Sequence, residues 1–293
     1  MVTTSVHTER LKYIIAVMLY GTIGMILRFI RFPSELVVLC RGGIGCLFLL
    51  ATQLLSGKKP DGKAIWVNGR WLVLSGICLG LNWVFLFAAY IHTTVAVASL
   101  CNYMAPIVLI FLSPLLFREK LTGKKLLCVL AACLGIVLVS GVLGQRQGVS
   151  FRGVALGLAA AVCFVGIVLC NKMLRNIRPM ERCIVQLGVS ALVVLPYVLY
   201  RNWGTPIPVD LRSVLLTAML GIVHTGLAYR LYFSAMGNLP VQTISILGYI
   251  EPVMSILCSA IVLGEPLGIA GIVGAVLIIG AATCSCGSNP VRM

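Results

Sequence analysis

Ten apolar segments follow one another along the chain, each long enough to cross a bilayer as a helix. A spanning helix needs about 20 mostly apolar residues. The segments fall near 11–31, 34–56, 71–91, 95–117, 124–144, 151–172, 181–200, 211–233, 240–262 and 267–286. Connections are short, and the longest polar stretch, Ser56 to Arg70, reads as a loop containing SGKKPDGK. Backbone polar groups in hydrocarbon must be bonded internally, so the expected fold is an all-α integral membrane protein with ten transmembrane helices. Charged residues make up only 11% of the chain, where a soluble domain carries about 25%. That excludes an ordinary cytosolic enzyme, a disordered protein and a secreted scaffold. The first apolar run is too long for a signal-peptide core and lacks a clear cleavage site, so it reads as a retained helix.

The net charge of +15 comes from 23 Lys and Arg against 8 Asp and Glu. These bases lie between apolar runs, which ties them to topology and not to nucleic acid. With the N-terminus inside, 16 of the 23 fall at the inner face, including Lys58, Lys59, Lys120 and Arg178. Arg28, Arg31, Arg41, Arg146, Arg152, Arg201 and Arg212 make up the outer set. Both termini are therefore expected in the cytoplasm, with the chain in the cell membrane and in contact with lipid. The 12 cysteines are mostly scattered in apolar runs, as small buried hydrophobes are. No spacing calls for a metal or another cofactor, and Cys284 with Cys286 has no second ligand pair.

Shifted by 146 residues, the chain matches itself: 12 of the 42 positions from Gly80 to Leu121 are identical to Gly226 through Leu267. The informative pairs are Ser99/Ser245, Tyr103/Tyr249, Pro106/Pro252, Ser113/Ser259 and Glu119/Glu265. The repeats are expected at 1–144 and 145–293, with five helices each. Because five is odd, two tandem copies must enter the membrane in opposite directions. Inverted repeats are a recurrent design of secondary transporters, with the solute site near the midplane where the halves meet.

The segment AAYIHTTVAVASLCNYMAPIVLIFLSPLLFREKLTGKK and its counterpart SAMGNLPVQTISILGYIEPVMSILCSAIVLGEPLG resemble the EamA-type drug/metabolite transporters. The resemblance runs from the first span to the tenth. It is specific at Pro106 with Glu119 and at Glu251, Pro252 and Glu265, and weaker in the first, sixth and seventh spans. It implies a ten-helix fold of two EamA repeats that exports or takes up small metabolites, amino acids among them.

Intramembrane ionisable groups are functional candidates by default. Of the eight acidic residues only Glu251 lies mid-span. It stands about 11 residues past Pro240, or about 16 Å deep. His224 lies at a similar depth in the preceding span. The two either share a proton and couple transport to protons, or Glu251 ties down backbone freed beside Pro252. Arg41, nearer the outer face, reads as pairing with a helix end or snorkelling to headgroups, with substrate-carboxylate binding the alternative. Tyr103 and Tyr249 precede Pro106 and Pro252 by three residues, where a kink would bend the fourth and ninth helices around a cavity. With Asn102 they meet solute there, or they pack with satisfied hydroxyls. Tyr20, Asn82, Trp83 and Tyr90 complete the candidate lining, since Trp and Tyr away from the interfaces suggest a cavity wall. The glycine pairs Gly76/Gly80, Gly153/Gly157 and Gly264/Gly268 allow close helix contacts.

Three functions compete. A secondary transporter of small organic solutes, most simply an exporter of amino acids or related amphipathic molecules with protons as the candidate coupling ion, fits the inverted repeat. An integral membrane enzyme would need clustered carboxylates or histidines, and His7, His92 and His224 are scattered. A lipid-linked precursor flippase would share the same architecture.

Overall fold

The computed structural model describes residues 2–57, 59–105, 107–108, 123–139, 150–204, 206–236, 239, 247–248, 250–265 and 268–286. Pro106, Glu119, Lys120 and Tyr249 lie outside the described residues. The described residues form helices α1 (Val2–Leu27), α2 (Ser34–Leu55), α3 (Gly62–Val67), α4 (Gly69–His92), α5 (Val95–Asn102), α6 (Gly123–Val139), α7 (Phe151–Lys172) and α8 (Pro179–Arg201). They continue with α9 (Leu211–Met219), a π-helical segment (Leu220–Leu227), α10 (Ala228–Met236), α11 (Ile250–Ile261) and α12 (Ile269–Cys286). No strand occurs among the described residues.

Among the described residues six helices are long and apolar enough to span a membrane: His7–Leu27, Ser34–Leu55, Gly69–His92, Phe151–Lys172, Pro179–Arg201 and Leu211–Ala235. Shorter apolar helices cover Ile250–Ile261 and Ile269–Ala281. The most apolar stretch of each long span is only 39–50% buried, so apolar side chains also line the outside. Leu47, Leu127, Val162, Leu192 and Val276 are among those exposed. Such a surface is unfavourable in water and suits hydrocarbon. Trp66, Tyr200 and Trp203, each more than 80% exposed, sit beyond or at the helix ends, where aromatic rings favour the lipid–water boundary.

Local chemistry sets the helix starts. The side chains of Thr94, Ser150 and Asp210 accept bonds from the backbone N–H groups of Val97, Gly153 and Ser213, so each caps an N-terminus. Asp210 also accepts from the Ser213 hydroxyl, and these bonds hold its carboxyl below the usual range. The Ser56–Arg70 stretch, expected to be a loop, contains α3, started by the Asp61 side chain accepting from the Ala64 N–H. The span expected at 211–233 is a helix interrupted by a π-helical segment.

Helix pairing is reciprocal between the two halves. α4 packs on α7 and α8, while α10 and the π segment pack on α1, and the π segment packs on α2. α5 packs on α7 as α11 packs on α1. α2 lies on α8, α5 on α11 and α6 on α12. Glycines permit these contacts: Gly76 and Gly80 face Val189 and Ser190 of α8, and Gly153 and Gly157 face Thr93 and Cys101. Gly264 serves differently, since its φ of +63° makes a turn that favours glycine.

The bonds at the helix ends fix their directions. At one end Arg28 donates to the Thr93 carbonyl and the Arg31 N–H to Ser213. Ser150 donates to the His92 carbonyl at this end, and Arg201 lies 3.6 Å from Glu35. At the opposite end Arg178 donates to the Lys59 carbonyl, the Asp61 N–H to Glu181 and the Arg175 N–H to Asn68. Hence α1 and α7 run in opposite directions, as do α2 and α8, α4 and α9, and α5 and α11. The two ends are called here the Arg28 end and the Arg178 end.

Candidate functional site: a polar cavity among four helices

A helix exposes one stripe to its neighbours, and α1, α4, α5 and α11 turn polar stripes towards a common point. The small cavity between them holds about 20 Å³, room for roughly one water. Tyr20 and Gly21 come from α1, Leu86 and Tyr90 from α4, Ser99, Asn102 and Tyr103 from α5 and its C-terminal cap, and Glu251 and Ser255 from α11. Five of the residues expected to line a solute site therefore meet here: Tyr20, Tyr90, Asn102, Tyr103 and Glu251. Gly21 brings α1 against α11, since a Cβ there would lie 2.6 Å from the Glu251 carbonyl oxygen.

The polar groups of the cavity are unequally satisfied. Ser99 and Ser255 hydroxyls are 2.7 Å apart, and Tyr90 reaches Ser99 at 3.3 Å. The Tyr20 hydroxyl is buried without a hydrogen-bond partner, and the Tyr103 hydroxyl is turned towards the Glu251 carboxyl. Buried hydroxyls are normally bonded to protein or water. One unpartnered hydroxyl and a tyrosine–carboxyl pair around one cavity make a ready set of donors and acceptors for a polar solute group. Among the described residues no group of three or more His, Cys, Asp or Glu side chains could hold a metal.

Three expected lining residues are placed elsewhere. Asn82 donates to the Asn102 side chain at 3.0 Å and to the Ala160 carbonyl at 2.7 Å, so it ties α4 to α5 and α7. It orients Asn102 from behind. Trp83 lies under the guanidinium of Arg41, 4.1 Å from the ring centroid. His224 pairs with the Thr22 hydroxyl at 3.1 Å and not with Glu251. Pro252 is buried in α11.

Arg41 departs furthest from its expected place. It is 3% exposed, and its Nε donates to the Thr225 hydroxyl at 2.7 Å. It neither snorkels nor caps a helix. Its partner Thr225 stands in the π segment, whose Gly221 and Gly226 meet Ile44 and Phe48 of α2. A π turn often marks a functional position in a helix.

Aromatic rings lead away from the cavity. Tyr20 lies 5.7 Å from Tyr229 and 5.9 Å from Tyr232, and both contact Phe233, at 5.8 and 5.0 Å. Phe233 lines a second, larger cavity of about 350 Å³ at the Arg178 end. The Arg28 end is drawn together instead. Glu265 accepts from Arg28 at 2.7 Å, from the Val95 N–H at 3.1 Å and from Ser259 at 2.9 Å.

A sequence profile described as the EamA-like transporter family matches residues 11–141 and again 151–286. The chain belongs to the EamA-like transporter family. This EamA chain is thus a multi-pass membrane protein and a transporter. It is 26% identical over 259 residues to the uncharacterized transporter YxxF of Bacillus subtilis (strain 168), covering 88% of this chain and 82% of that one. Protein PecM of Dickeya dadantii (strain 3937) is 30% identical over 262 residues, covering 81% and 86%. A probable amino-acid metabolite efflux pump of Salmonella typhimurium is 26% identical over 177 residues, covering 57% and 59%. A protein crystal structure shares the fold of this EamA chain, with a TM-score of 0.61, 23% identity and coverage of 95% and 96%.

Residues that sequence reasoning passed over are Ser99, Ser255, Gly21 and Leu86. Ser99 carried a signal, since it is one of the polar matches of the repeat. Ser255, Gly21 and Leu86 carried none above ordinary membrane composition.

Proposed function

We propose that the protein is an alternating-access exporter of amino acids or related amphipathic solutes across the cytoplasmic membrane. Its ten helices form two inverted repeats, 1–144 and 145–293, with both termini and the Arg178 end in the cytoplasm. The cavity of Tyr20, Tyr90, Asn102, Tyr103 and Glu251 carries this reading. It draws its walls from both repeats and holds a half-buried carboxyl beside the Tyr103 hydroxyl and the unpartnered Tyr20 hydroxyl. The reciprocal helix pairing and the opposed directions of counterpart helices support the inverted repeat. The excess of Lys and Arg at the Arg178 end supports the orientation.

The mechanism follows from the two ends. Glu265 of the second repeat bonds Arg28 and Val95 of the first, which closes the outer path. On the inner side the rings of Tyr20, Tyr229, Tyr232 and Phe233 stand between the small cavity and the larger one. Solute enters past the rings, occupies the cavity and leaves once the Glu265 contacts part. Glu251 is the candidate proton carrier, because among the described residues no other acidic side chain lines that cavity.

Counterflow in proteoliposomes tests this, with a panel of radiolabelled amino acids and amphipathic metabolites run with and without a pH gradient. The expected result is saturable exchange of at least one amino acid, driven by the gradient, with Glu251→Gln exchanging but no longer responding to pH. An unaltered pH response in that variant would remove the coupling role. A lipid-scrambling assay on the same liposomes reports the flippase alternative.

A further inference from the structure

The cavity at the Arg178 end opens where α2 and α10 finish and α8 starts. Gln53 and Ser56 line it from α2 and its cap, Arg178 and Glu181 from the start of α8, and Arg230 and Phe233 from α10. Gln53 is 6% exposed, yet neither its amide nitrogen nor its carbonyl oxygen has a partner. Native proteins rarely bury an amide with both ends unbonded. One Glu181 oxygen accepts from Arg178 and from the Asp61 N–H, while the other is buried without a partner. Arg178 therefore offsets Glu181, and Arg230 adds a further positive charge to the wall. Arg182 stacks over Phe233 at 5.3 Å and contributes another cation. The first turn of α8 faces the same space, and the start of a helix favours negative charge.

These groups form a complementary set. A cation suits a carboxylate, a carboxylate oxygen and an amide oxygen suit an ammonium, and an aromatic face suits an apolar side chain. We propose that this vestibule is the cytoplasmic loading site and selects zwitterionic amphipathic solutes. Arg230 takes the solute carboxylate, Gln53 bonds both charged groups, the open Glu181 oxygen takes the ammonium, and Phe233 packs on the apolar part. This rests on the transport reading above and adds a second, side-specific station to it. Phe233 also belongs to the ring row that ends at Tyr20, so a solute bound here already touches the inner barrier.

The test is face-resolved counterflow in uniformly oriented proteoliposomes. Probes are the radiolabelled L-amino acids, with phenylalanine set against phenethylamine, its analogue without the carboxylate. Gln53→Leu and Arg230→Gln are each expected to raise the half-saturating concentration at the Arg178 face roughly three- to tenfold, the effect of one lost charge-assisted contact. The Arg28 face should stay within about twofold, because outer loading bypasses the vestibule. Arg230→Gln should also lose the preference for phenylalanine over phenethylamine. Arg230 is exposed, so this variant is expected to fold even if Gln53→Leu does not. Unchanged values at both faces in an active Arg230→Gln protein would overturn the inference and leave transport standing. If the wild type exchanges no amino acid, the transport reading fails and the loading site fails with it. Anionic lipid headgroups offer the same charge, so phosphatidylcholine liposomes are compared with and without phosphatidylglycerol. An Arg230→Gln effect seen only with phosphatidylglycerol would assign the arginine to lipid and reject the proposal.

Discussion

Asn82 shows how a buried amide works inside a bilayer. Both of its donated bonds go to protein, one to Asn102 at the cavity edge and one to the Ala160 carbonyl. Interhelical hydrogen bonds in membranes contribute about 0.6–2 kcal/mol. Asn82→Ala is therefore expected to lower stability by about 1 kcal/mol, read as reduced resistance to unfolding in detergent, and to loosen solute binding through Asn102 while leaving Asn102 in place. Wild-type stability in that variant would show that the amide bonds contribute nothing net. Residue identity and depth were legible in the sequence, and so were the Tyr, Asn and Glu side chains that meet at the cavity. Rotation about the helix axis was not. Asn82 and Trp83 sit at the right depth, but their helix turns them towards α7 and Arg41. Arg41 was misread for the same reason: depth near the outer face suggests a snorkelling side chain, yet its stripe faces Trp83 and Thr225.

Between elements, contact is governed by where a Cβ is absent. Gly21 lets α1 approach α11 so closely that a methyl would lie 2.5 Å from the Met254 Cβ and 2.6 Å from the Glu251 carbonyl. Neither neighbour is the flexible end of a side chain, so the helices must separate. Gly21→Ala is expected to cost about 1–3 kcal/mol and to impair transport, because the same contact positions Glu251. Gly43→Ala is the control, since nothing lies within 4 Å of its added Cβ. Thermal unfolding of the two variants in one detergent checks the pair, and equal midpoints would refute the packing argument. Long helices were legible because a bilayer demands uninterrupted apolar runs. The π segment was not, since its cause is tertiary: Gly221, Thr225 and Gly226 dock on α2. The short helix α3 carried a signal in its Asp61 cap, which a polar loop reading passed over.

Across the whole molecule, one carboxylate at the Arg28 end ties the segments that follow α1 and α11 to the start of α5. Arg28 and Glu265 are 31% and 20% exposed, and such a partly exposed pair contributes about 0.5–1 kcal/mol. Glu265→Gln is expected to shift the protein towards the outward-open form by about two- to fivefold. In a background with native cysteines replaced, a cysteine at Ser99 should then label correspondingly faster with an impermeant thiol reagent added outside. An unchanged rate would mean that the bond does not hold the closed state.

The row of rings from Tyr20 to Phe233 bears on how tightly the resting protein insulates the cell. On the transport cycle proposed above, these rings in edge and tilted contact are the inner barrier, and a barrier without a water chain passes neither protons nor small ions unaccompanied. A cargo with its own flat or greasy portion can wedge those rings apart, whereas a bare ion has nothing to wedge with. In that cycle leakage and selectivity are governed by the same four side chains.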